Sequence, residues 1–161
     1  MPDAICNTSP LLYLHRIGTL DWLPKFFSSI WSANAVLLEL QEGGKAGHDV
    51  PYPATYTWLK IADPRAVPSE WLTLDLGPGE LAVLALGLEN PDRIILLDDD
   101  FARRVARAAG LQVWGTLRVL LEAKSRGLIT HVEPLITRLK DSGMWISDEI
   151  RARVLALAGE K

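Results

Sequence analysis

Four positions in this chain place oxygen-bearing side chains where they are costly. Asp98 follows directly on the apolar run 94–97 in "RIILL", with Asp99 and Asp100 behind it. Glu80 opens "GELAVLALGLE", so Val83, Leu84 and Gly87 fall on its own side of a helix. Glu39 lies between Val36 and Leu40 in "AVLLELQ", and Asn7 ends the apolar run "AIC". An acid on an apolar face is destabilising unless it is paired, hydrogen-bonded or bound to a cation. Oxygen donors from separate elements are what Mg²⁺ or Mn²⁺ requires. Such ions activate a water and stabilise charge on a phosphoryl centre.

Each acid also has a plain structural reading. Asp99 and Asp100 can cap helix N–H groups and oppose the macrodipole, and Asp100 can pair with Arg104. Glu80 can do the same at its own helix start. Glu39, near a helix end, is either a solvated charge or a functional one, since its sign there opposes the dipole.

The surrounding pattern must position these groups. Strands are expected at 3–8, in "SIW", in "WLKIAD" (at an edge), in "RIILL", which reads as buried on both faces, and in "LQVW". A helix follows "NTSP", with Pro10 in its first turn, Thr8 or Ser9 as cap and Gly18 as its end. "LDWLPKFFSS" reads as a short interrupted helix. "SANAVLLELQEGG" is a helix with Ser32 as cap and Gly43-Gly44 as stop. Residues 43–57 form a flexible loop or excursion rich in Gly and Pro. Helices are also expected over 79–88, in "DDDFARRVARAAG", in "GTLRVLLEAKSRG", and twice in a C-terminal helical tail, 132–161. The alternation implies an α/β sandwich around a parallel sheet in a single domain, 1–161, with ligands gathering at the carboxyl ends of the strands.

Composition narrows the function. The 161 residues carry a net charge of −3, so bulk charge does not hold the chain to nucleic acid, and any such surface is local. The lone Cys6 excludes an internal disulfide and a multi-cysteine zinc site. His15, His48 and His131 lack metal-ligand spacing. No signal-peptide pattern and no membrane-length apolar run is present, so the expected compartment is a reducing cytoplasm.

The ordered set "NTSPLLYLHRIGTLDWLP", "AVLLEL", "LGPGELAVLALGLE" and "IILLDDDFARRVARAAGLQVWGTLRVLLEAKSRGLI", closed by "GMWISDEIRARVLALAGE", resembles the PIN-domain-like nucleases. More narrowly it resembles a prokaryotic branch related to VapC-type toxins. The resemblance runs from residue 4 to about 158 and implies a three-layer α/β/α sandwich around a central parallel sheet. It also implies RNA cleavage with Mg²⁺ or Mn²⁺ held by three or four acids. Residue by residue, the family's first acid falls on Asn7, its second on Glu39, its third on Glu80 and its fourth on Asp98, with Asp99 able to replace or join it. The family's small hydroxyl matches Thr8 or Ser9. Asn7 departs from the pattern: an amide offers a carbonyl oxygen but no charge.

Arg103, Arg104 and Arg107 lie off the apolar stripe of their helix. They are candidates for holding RNA phosphates, or form a solvated basic face. Six tryptophans suggest burial or an oligomer surface. The expected function is a metal-dependent endoribonuclease acting as the toxin of a type II toxin–antitoxin pair. Its catalytic acids would be Glu39, Glu80 and Asp98, its partners a small antitoxin-like protein and a second copy of itself in a homodimer. The alternative is a catalytically weakened PIN-like module that binds RNA or protein, with Asn7 in place of an acid. A phosphoaspartate receiver is disfavoured, because the acids come late and the first strand end is not acidic.

Overall fold

The structure is a computed structural model that describes residues 1–160. Five short strands form one sheet: β1 (Ala4–Cys6), β2 (Ile30–Ser32), β3 (Leu59–Ile61), β4 (Ile94–Leu96) and β5 (Val113–Trp114). Their order is β3-β2-β1-β4-β5 and every pairing is parallel. Parallel pairing demands crossovers, and helices supply them: α1 (Thr8–Arg16), α2 (Leu23–Phe26), α3 (Asn34–Lys45), α4 (Pro78–Glu89) and α5 (Asp100–Ala108). Three more follow the last strand: α6 (Thr116–Ser125), α7 (Glu133–Asp141) and α8 (Asp148–Leu157). All three residues of β1 and of β4 are buried, so helices cover both sheet faces and the architecture is the expected α/β/α sandwich. β3 lies at the sheet edge, as its sequence suggests, and Ile61 there is exposed.

From β1 the chain builds outward through β2 and β3, then returns to add β4 and β5 on the other side. The topological switch point therefore lies between β1 and β4. Their carboxyl ends are tied together directly, the Asn7 N–H donating to the Leu96 carbonyl at 3.0 Å.

Three local expectations are corrected. α3 does not stop at Gly43-Gly44 but runs to Lys45, and the chain turns at Gly47, whose φ is +89°. The two glycines serve packing instead: a Cβ at Gly43 or Gly44 would sit 3.2 Å and 3.1 Å from the methyls of Val50, which folds back over them. Ser32 is not the cap of α3. It is the last residue of β2, and its hydroxyl donates to the Cys6 carbonyl at 2.7 Å, joining two strand ends. Neither Thr8 nor Ser9 caps α1. The N-cap position is Asn7, and Thr8 lies inside the helix with its hydroxyl aimed elsewhere. The segment after α3 is linked to α1, where Asp49 meets His15 at 2.9 Å and its carbonyl accepts from Arg16 Nε at 3.0 Å.

Candidate functional site

The site begins with the turn Gly77-Pro78-Gly79-Glu80 that starts α4. Glu80 folds back so that its Oε1 accepts the Gly77 N–H at 3.0 Å, satisfying a donor at the helix start. Two residues from that bond, the Gly79 N–H donates at 3.0 Å to Oε2 of Glu39, which arrives from α3. The other oxygen of Glu39 accepts the hydroxyl of Thr8, the residue after Asn7. Three chain segments therefore meet at one carboxylate.

Their proximity shows in the titration of Glu80. Burial lifts its carboxyl above the usual range; the nearby negative charges of Asp99, Glu39 and Asp75 add to the rise, and the Gly77 bond opposes it. Glu80 thus lies within the field of Glu39 and Asp99. Asp99, exposed, is the N-cap of α5 through its Oδ2, which accepts the Ala102 N–H at 2.9 Å.

Asn7 is 5% exposed and its Oδ1 has no hydrogen-bond partner. A buried carbonyl oxygen without a donor is uncommon and costs of order 1–3 kcal/mol. That orphaned oxygen, set beside the Thr8–Glu39 contact, has the character a hard divalent cation accepts, and so do the carboxylates. The donor set fits Mg²⁺ or Mn²⁺ in chemistry. As the side chains stand, no group of three or more Asp, Glu, His or Cys among the described residues is close enough together to hold an ion.

Asp98 has partners of its own. Thr116 at the start of α6 grips it twice, through its N–H to Oδ1 and its hydroxyl to Oδ2, each at 2.7 Å. Burial raises the Asp98 carboxyl above its ordinary value, while the Thr116 bonds and the charge of Arg103 pull the other way. Arg103 therefore lies inward beside Asp98, with its Nε buried and unpartnered. Arg104 and Arg107 are the exposed pair of this helix, and Arg104 stacks on Phe101 at 5.7 Å. Ser9 is partly buried in the first turn of α1.

The structure thus joins Thr8 and Gly79 to Glu39 by hydrogen bonds, sets Glu80 within the field of Glu39 and Asp99, and places Asp98 with Arg103 and Thr116. Gly77, Gly79, Asp75 and Thr116 were not legible as site residues. The "GPGE" and "WGT" turns that contain three of them read only as helix starts. A family model described as PIN domain matches residues 3–160. No curated protein and no solved structure matches the chain.

Proposed function

The chain belongs to the PIN-domain family, and from that premise we propose that it is a metal-dependent endoribonuclease. The observation that carries the reading is that Thr8, which follows Asn7 with its unpartnered Oδ1, bonds Glu39, whose other oxygen is held by the Gly79 N–H at the start of the helix that carries Glu80. Oxygens of Asn7, Glu39, Glu80, Asp98 and Asp99 would hold a Mg²⁺ or Mn²⁺ ion, which when bound lowers the pKa of a water and neutralises charge on the scissile phosphate.

The chain's own residues do the positioning. Thr8 and Gly79 each occupy one lone pair of Glu39 and leave others free, since a carboxylate offers about four acceptor sites. Asp98, fixed by Thr116, holds the strand end from which Asp99 projects. Arg104 and Arg107, exposed one turn beyond the acids, would receive flanking phosphates of a single strand, and Ser9 lies near the same strand end.

Within this reading the chain is the toxin of a type II toxin–antitoxin pair, neutralised by a small antitoxin-like protein. It would work as a homodimer, to which the 82% exposed Trp145 offers apolar surface. Light scattering at micromolar concentration checks the dimer. Among the described residues no helix is long and apolar enough to cross a membrane.

A second reading has its own support. Asn7 stands where an acid is expected, and protein donors already engage Glu39 and Asp98. A weakened module that binds RNA or a protein through the same cleft would look this way. Incubation with generic single-stranded RNA in Mn²⁺ and in chelator separates the two. Cleavage in Mn²⁺ only, abolished by Glu80→Gln, supports the nuclease; retention of RNA without cleavage in either condition supports the binding module.

A further inference from the structure

Gly79 is where one candidate acid, Glu39, meets the helix start that carries another, Glu80. Its N–H holds Glu39 Oε2 at 3.0 Å, and the space where its Cβ would be is filled by the same carboxylate: an added Cβ would lie 2.5 Å from Oε1 and 3.0 Å from Cδ. Its φ is not positive, so backbone strain does not call for glycine there. The neighbouring Gly77, by contrast, would bring a Cβ no nearer than 3.7 Å to any atom, the nearest being Glu80 Oε1.

We propose that Gly79 is a positioning residue. Its bare Cα and its N–H form a cradle that admits Glu39 against the start of α4 and sets it beside Glu80, which the same turn holds through Gly77. The proposal rests on the metal-dependent reading for its consequence, and on geometry alone for the cradle. Two like charges are brought close because the free N–H groups and the positive end of the helix dipole offset their repulsion. A side chain at residue 79 would displace Glu39, the mobile end of the contact, and leave the fold standing.

The test compares the parent, Gly79→Ala, Glu39→Asp and the double variant, each full-length and metal-free, then titrated with Mn²⁺. The amide of residue 79 has no partner within α4, so its hydrogen-exchange protection reports the Glu39 contact without any metal. Gly79→Ala is expected to keep the parent's circular dichroism and thermal midpoint, lose that protection, and bind Mn²⁺ about 10- to 100-fold more weakly. Glu39→Asp withdraws the carboxylate by one methylene. Alone it should weaken Mn²⁺ binding; in the Gly79→Ala background it should restore protection and part of the affinity, a reversal of sign that a merely structural glycine does not produce. Unchanged protection and affinity in Gly79→Ala, or strictly additive effects in the double variant, overturn the cradle. If the parent itself binds no Mn²⁺, the metal-dependent reading fails, and amide exchange alone then decides the cradle.

Discussion

Thr116 holds both oxygens of Asp98, N–H to Oδ1 and hydroxyl to Oδ2, and is itself fully buried. The pair ties the end of β4 to the start of α6 across the sheet's outer pairing. Thr116→Val keeps the shape but leaves Oδ2 without its donor. A loss of about 1–3 kcal/mol in unfolding free energy is expected, with Thr116→Ser much closer to the parent. Urea denaturation at neutral pH measures it; equal losses in the two variants would assign the contact to packing.

The raised carboxyls of Glu80 and Asp98 give a pH dependence of definite sign. A group whose folded pKa lies above its unfolded one contributes stability below the unfolded value and loses it as pH rises through the folded value. These two acids therefore oppose folding at neutral pH in the metal-free protein. Glu80→Gln keeps the acceptor for Gly77 and removes the charge. Its metal-free thermal midpoint should exceed the parent's at pH 7, and the difference should shrink on acidification toward the ordinary glutamate range. The same variant should lose most of any rise that Mn²⁺ produces in the parent.

Glu160 behaves in the opposite sense. Its side chain is 5% exposed and accepts from Lys124 Nζ at 3.0 Å. It also accepts the Val132 N–H at 2.7 Å and the Glu133 N–H at 3.2 Å. Burial raises its carboxyl, but the backbone and Lys124 bonds together outweigh that and hold it below the ordinary value. Stability from this group is present above the unfolded pKa and lost as pH falls through the lowered folded one. Glu160→Gln should lower the midpoint at pH 7, and the deficit should close in acid. A deficit that does not depend on pH would point to shape and not to charge.

Asn7→Asp tests the amide. The Oδ1 atom has no donor to lose, and the two side chains are nearly isosteric. Added charge beside Glu39 should lower the metal-free midpoint, tighten Mn²⁺ binding and speed RNA cleavage. Slower cleavage than the parent would show that the amide is a working part of the site.

Much of the frame was legible because it depends on local pattern. The run 94–97 is uniformly apolar, and β4 is buried on both faces; Glu80 opens an apolar stripe, and it lies inside the site. Where a local signal had two uses, the sequence could not choose between them. Gly43-Gly44 reads as a helix stop, yet the two glycines make room for Val50, a contact formed only when the chain folds back. Thr8 has the chemistry of a cap, and a partner from α3 takes its hydroxyl instead. In Asp98-Asp99-Asp100 the three side chains are identical, and only Thr116, far along the chain, separates the half-buried one from its exposed neighbours. Such choices are made by tertiary contacts, to which periodicity is blind.

The place of β1 also governs when the sheet can close. Ala4 pairs with Ile30 on one side and with Ile94 on the other, so this first strand is the seam joining both halves of the sheet. A ribosome delivers it, with Asn7 and Glu39, long before β4 and α6 emerge. Non-local pairing of this kind is slow to form, and domains complete themselves as units. A nascent chain at that stage holds Asn7 and Glu39 with no framework to gather the remaining acids. The candidate acids are therefore gathered only after β4 and the segments that pack on it have been made.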